Sequence, residues 1–238
     1  MISFSIPRIT ADRLTRLGLA CADDNTNIHH IGVRITPTAL RFSATTGHIL
    51  ASLVVPIDDL AGPTADLILD RDQLTAALKV AAKSHGGRIS FKIDDQEARI
   101  TNGTVASVVR RVAGTWPNVD HVWARPAGRR WIPAMCSVDP TLLSIAQKVS
   151  GNRQPLLFTS PVEPSARLER IWAVPGAKAD ESISLADLRS AVTAPAYWSD
   201  GVELAILIMP VTRGDAERQL NLGAHAMPLS QPAAALAA

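Results

Sequence analysis

Three observations predict an α+β fold in layers, antiparallel sheet on one face and helices on the other. The first is a rhythm of strand, helix and three strands that runs twice through residues 1–125, restarting after about 62 residues. The second is the joints: Asn102-Gly103 and Thr36-Pro37-Thr38 are turns too short for anything but antiparallel neighbours. The third is composition. The chain is 47% hydrophobic but only 4% aromatic, so its core is built from Leu, Val, Ile and Ala.

Residues 2–6 alternate apolar and polar as a half-buried strand does, and Pro7 ends the run. Thr10 is expected to cap a helix, with Asp12 in its first turn. Leu14, Leu17 and Cys21 share one face of that helix, and Arg13, Arg16 and Ala20 another. Residues 23–27 form a polar break. Strands are then expected at 30–35, 39–44 and 49–57. The second unit opens with a strand at 65–69. Asp70 or Asp72 caps its helix, which carries Leu74, Leu78 and Ala81 inward, and Gly86-Gly87 stops it. Strands at 88–93, 97–101 and 104–112 complete the unit. Identity between the units is negligible; only the apolar pattern repeats.

A basic stretch with Pro126 and Gly128, residues 125–131, reads as a linker. A third unit follows, with a strand at 134–138 and a helix opened by Asp139-Pro140. Leu142, Leu143, Ala146 and Val149 form the helix's buried face, and Gly151 ends it. Further strands are expected at 155–159, 166–174 and 202–209, with a loop at 175–182, a short helix at 184–192 and a loop at 194–201 that contains Trp198. The organisation expected is one complete domain over 1–125, a shortened one over 131–213, and a flexible tail over 214–238.

The formal net charge of +2 is too small to imply nucleic acid by itself, though a local basic face remains open. Cys21 and Cys136 lie far apart with no CxxC spacing and read as reduced thiols. No leader and no apolar run of membrane-spanning length is evident, so a soluble cytoplasmic protein is expected. His29-His30 lacks supporting metal ligands, and Asp58-Asp59 and Asp94-Asp95 sit where turns favour Asp. No catalytic residue, metal or cofactor is expected, and an enzyme is disfavoured. A hydrolase using His48 is the remaining enzyme alternative. Arg13 and Arg16, Lys79 and Lys83, and Lys148 with Arg153 lie on or just after three successive helices. Either they are a solvated face, or they form a row of positive charge that meets phosphates without reading sequence.

Five short segments, in order, resemble the bacterial sliding clamp, the beta subunit of DNA polymerase III. Phe4-Ser5-Ile6-Pro7 followed by Leu14 is similar to the start of that family's middle domain, and Ile31-Gly32-Val33 to its NGV-type strand. Ala44-Thr45-Thr46-Gly47-His48-Ile49-Leu50-Ala51 resembles ATDGHRLA. Gly114-Thr115-Trp116-Pro117-Asn118-Val119 falls where the family has G-x-FP-x-Y, and Leu207-Ile208-Met209-Pro210-Val211 is similar to the terminal VMPM. The resemblance implies a DNA-clamp fold, with antiparallel sheets outside and helices on the inner face, in a shortened member that lacks the first domain. It implies a non-enzymatic processivity factor that encloses double-stranded DNA and takes short peptides from polymerase and clamp-loader-type proteins. The peptide pocket carried over motif by motif is Thr45, Gly47, His48, Leu50, Leu207, Met209, Pro210 and Val211.

Departures from the pattern bear on this reading. Thr46 stands for Asp and Ile49 for Arg, and Val211 and Thr212 stand for Met and Arg, so the rim loses charge. The reduced number of units leaves a homo-oligomeric ring of three or four chains open, beside a clamp paralogue that binds peptides without encircling DNA. Finally, Gln219-Leu220-Asn221-Leu222-Gly223 resembles the family's QLxLF-type partner peptide. Either this is a chance match in a polar tail, or Gln219, Leu220 and Leu222 dock into the pocket of their own or a neighbouring chain.

Overall fold

The structure, a computed structural model, describes residues 1–23, 26–84, 87–123, 130–133, 138–151, 156, 158–162 and 195–209. Twelve strands and four α-helices are seen in these residues. The first unit comprises β1 (Ile2–Pro7), α1 (Arg8–Leu17), β2 (Ile31–Ile35), β3 (Ala39–Thr45) and β4 (Ile49–Pro56). The second comprises β5 (Ala65–Leu69), α2 (Arg71–Lys83), β6 (Arg88–Ile93), β7 (Glu97–Asn102) and β8 (Val105–Arg110). After these come α3 (Asp120–Trp123), β9 (Arg130–Pro133), α4 (Pro140–Ser150), β10 (Thr159–Val162), β11 (Ala196–Ser199) and β12 (Leu204–Ile208).

The units do not merge into one sheet. Each exchanges its first strand with the other: β1 pairs with β6, from Ile2 opposite Ile93 to Pro7 opposite Arg88, while β5 pairs with β2, from Ile31 opposite Leu69 to Ile35 opposite Ala65. The reason is the helix after each first strand, which carries the chain across to the other sheet. The result is two sheets of the same internal order, β1-β6-β7-β8 and β5-β2-β3-β4. The second is then extended by β12, β11, β10 and β9 to eight strands, antiparallel in every paired register.

Helices α1, α2 and α4 pack together, with α1 touching both others. One continuous core lies between them and the sheets. Ile6, Leu14, Leu17, Phe42, Leu53, Leu74, Leu78 and Phe91 are fully buried in it, and the Phe4 and Phe91 rings stack at 4.9 Å across β1 and β6. Burial at about 25 cal/mol per Å2 of apolar surface makes this cluster the main stabilising feature. The caps at Asp70 and Asp139 are as expected. Asp70 accepts from the Gln73 N–H and Asp139 from the Thr141 N–H, Pro140 opens α4, and Gly151 closes it at φ +106°.

Several local expectations are corrected. Thr10 does not cap α1; it is fully buried inside the helix. The helix starts at Arg8, whose N–H donates to the Gly87 carbonyl at 3.0 Å, so the chain itself satisfies a donor that a side-chain cap would have taken. Leu143 is 40% exposed, leaving Ala146 and Val149 as the buried residues of α4. A strand at Arg130–Pro133 begins within the stretch read as a linker, where pairing with β10 overrides its Arg and Pro content, while the strand expected at 134–138 falls almost wholly outside the described residues. Trp198 is not in a loop but in β11, where Tyr197 faces Leu207 and Trp198 faces Ile206. His30 precedes β2 rather than opening it, after a 3-10 turn at Asn27–His29. The expected elements at 166–174, 175–182 and 184–192, and the tail over 214–238, lie outside the described residues.

Candidate functional site

The β3–β4 hairpin is tied by threonine hydroxyls. Thr45 Oγ1 donates to the Ile49 carbonyl at 2.7 Å and accepts from the Gly47 N–H at 2.9 Å. Thr46 Oγ1 accepts from the N–H groups of His48 and Ile49 at 3.3 and 3.2 Å. Thr46 thus supplies the turn acceptor that an Asp side chain would supply, without its charge. Gly47 has φ +90°, a left-handed conformation that disfavours any side chain. It and His48 project into solvent.

Strand β12 lies on the free edge of β4. Leu207 stands opposite Leu50 and Ile208 opposite Ile49, and the Met209 N–H donates to the His48 carbonyl at 2.7 Å. The two motifs, remote in sequence, therefore meet. Leu50 and Leu207 point away from the main core into a second, smaller cluster with Val119, flanked by Val122, Trp123 and Tyr197. The Trp123 and Tyr197 rings meet edge to face at 6.5 Å, and the Tyr197 hydroxyl donates to the Val122 carbonyl at 3.0 Å. Met209 is 40% exposed at the margin.

Of the expected pocket residues, Thr45, Gly47, His48, Leu50, Leu207 and Met209 come together here, while Pro210 and Val211 lie outside the described residues. The sequence reading did not include Val119, Val122, Trp123 and Tyr197. The first three have a detectable signal, apolar residues at i, i+3 and i+4, the stripe of a single helical turn. Tyr197 had none, since its segment reads as a loop.

The wall made by α3 is set by the strap before it. The Val112 N–H donates to the Ile68 carbonyl at 2.9 Å, and Asn27 Nδ2 donates to the Thr115 carbonyl at 3.1 Å. The Trp116 ring covers Gly32 so closely that a Cβ there would lie 2.3 Å from it. Asp120 receives hydrogen bonds from both Arg41 and Arg34, and these guanidinium groups hold its carboxyl below the ordinary carboxylate range. Arg34 also grips Asp66 through two bonds at 2.8 and 3.2 Å; these bonds and that to Asp120 push its own pKa up.

The basic residues fall into two groups. Arg13 pairs with Asp200 at 3.0 Å and Glu203 at 3.1 Å in the β11–β12 turn. Arg16 donates to the Val149 carbonyl at 3.3 Å and pairs with Asp12. Lys79, Lys83 and Lys148 are exposed and form no ion pair among the described residues, and Arg153 lies outside them. No group of three or more potential metal ligands is found among the described residues. A separate concavity of about 660 Å3 between α1, α2 and Thr46 has a polar wall that is already paired, Arg71 with Asp72 at 3.0 Å and Asp23 at 3.6 Å. Burial pushes the Cys21 thiol in that wall up to about 12, so it is not a reactive thiolate. No described helix is long and apolar enough to cross a membrane.

No family model matches the sequence, and a search of curated proteins finds no match. Solved structures do match the fold. The DNA polymerase sliding clamp from Bacillus subtilis superposes with a TM-score of 0.57 at 13% identity, over 88% of this chain and 64% of that one. A putative DNA polymerase III beta subunit from Eubacterium rectale gives 0.58 at 14% identity, over 89% and 66%. The DnaN sliding clamp from Pseudomonas aeruginosa, solved bound to griselimycin, gives 0.56 at 16% identity, over 88% and 65%. The chain thus has the sliding-clamp fold, α+β in class, and spans about two thirds of the length of the clamps it resembles.

Proposed function

We propose that the chain is a sliding clamp or processivity factor. It holds duplex DNA through phosphates and tethers polymerase and loader-type partners by a short peptide seated against the Leu50–Leu207 cluster. The observation that carries this reading is the seam between β4 and β12, which brings the Thr45–Leu50 turn and Met209 to one place. An apolar floor with an adaptable Met at its margin and the exposed imidazole of His48 nearby suits a peptide with leucine anchors. Lys79, Lys83 and Lys148 are the exposed cations that would meet phosphates.

The test uses a fluorescent peptide of Gln-Leu-Asn-Leu-Phe sequence titrated with the full chain. Binding is expected, and Met209→Ala is expected to weaken it about 5-fold, roughly 1 kcal/mol, with little change in thermal stability. No binding either by the parent chain or by a chain without residues 216–238 rejects the peptide site. A second reading, a paralogue that binds peptides without encircling DNA, is favoured by the commitment of Arg13 and Arg16 to internal partners. Native mass and retention on closed circular DNA decide between them. A multimer retained on circles but lost from linear DNA supports the clamp, and a monomer lost from both supports the paralogue.

A further inference from the structure

The geometry points to Asp120 as a positioning residue: clasped by Arg34 and Arg41, it fixes α3 as the wall of the peptide site. The inference rests on the peptide-site reading above and adds what holds that site in shape. Helix α3 is four residues long, too short to persist by itself. Its described internal bonds are those from the Val122 and Trp123 N–H groups to the Val119 carbonyl, at 3.1 and 3.2 Å. Its shape must therefore come from what it is fastened to. On one side Val119, Val122 and Trp123 lie on the Leu50–Leu207 cluster, and Tyr197 donates to the Val122 carbonyl. On the other, the Asp120 carboxylate bridges β2 and β3 through Arg34 and Arg41.

The apolar contacts slide easily; the ionic ones do not. A carboxylate shared by two guanidinium forks sets direction as well as distance. Arg34 is itself held by Asp66, so the anchor belongs to a network across three strands rather than to one exposed pair. The clasp fixes the register of the strap relative to the sheet, and with it the place of Val122 and Trp123 beside the seam. A peptide then meets a wall already in position and loses less ordering entropy on binding.

The experiment compares Asp120→Asn, Asp120→Glu and Asp66→Asn in the full chain, by affinity for the same labelled peptide and by amide hydrogen exchange. Asp120→Asn is expected to weaken binding 3- to 10-fold and to speed exchange at Val122 and Trp123 alone. Asp120→Glu restores part of both effects, while Asp66→Asn, which leaves the bond from Arg41 to Asp120 intact, stays within 2-fold of the parent. Unchanged exchange at Val122 and Trp123 in Asp120→Asn overturns the clasp whatever the affinity. So does an equal effect from Asp66→Asn. If Asp120→Asn fails to fold, Asp120→Glu with Arg41→Lys carries the same two readouts. Absence of peptide binding by both the parent and the chain without residues 216–238 rejects the peptide site, while the exchange data still decide the clasp.

Discussion

Gly32 illustrates how one residue fixes a surface. Its lack of a side chain admits the Trp116 ring, and any Cβ would overlap three ring atoms at 2.3 to 2.5 Å. Gly32→Ala should therefore displace the strap rather than be absorbed, costing about 1–3 kcal/mol in chemical denaturation with a shift in tryptophan emission. An unchanged midpoint and spectrum would show that the ring moves freely. At this scale the sequence was partly legible. The caps at Asp70 and Asp139 and the glycine closing α4 follow from local chemistry. Thr10 does not, because the bond that made a cap unnecessary comes from Gly87, a residue remote in sequence. Neither does the partnership of Arg34 and Arg41 with Asp120, since nothing in the spacing of three charges says that they meet.

Helix α4 rests on few buried residues, Ala146 and Val149, so its ends matter more than those of α1 or α2. Asp139→Ala removes the side-chain acceptor for the Thr141 N–H and is expected to cost about 1 kcal/mol, read as a lower thermal midpoint. A loss well under half of that would mean water replaces the cap. The elements of the first two units were legible because their periodicity is strong and their turns carry Gly, Pro and Asn. Strands β9 and β11 were not. Arg130–Pro133 holds a charge and a proline, and Ala196–Ser199 lies in a segment without clear alternation. Both are strands because a neighbouring strand takes their main-chain groups, a reason that no local pattern contains.

Across the molecule, the positive charges divide between holding the chain together and facing outward. If Lys79, Lys83 and Lys148 contact phosphates, replacing each by Ala should flatten the dependence of log K for duplex DNA on log salt by about 0.9. Arg13→Ala should leave that slope alone, because its guanidinium is engaged by Asp200 and Glu203. A slope change for Arg13→Ala and none for the lysines would reverse the assignment. The layer of helices and the repeated unit were readable from rhythm. The exchange of β1 and β5 between sheets was not, because hydrophobic pattern specifies which face of a strand is buried but not which strand lies beside it. The meeting of the two pocket motifs came from resemblance rather than from spacing, and the coordinates place them side by side.

The late position of β12 has a bearing on how the protein matures. A ribosome has to deliver the chain through Ile208 before β4 can acquire its neighbour, so on the peptide-site reading a nascent chain with both early units folded still lacks the Leu207 side of the site. If the seam is that site, competence to recruit would arrive only with β12, and half-made copies would not draw partners away from finished ones.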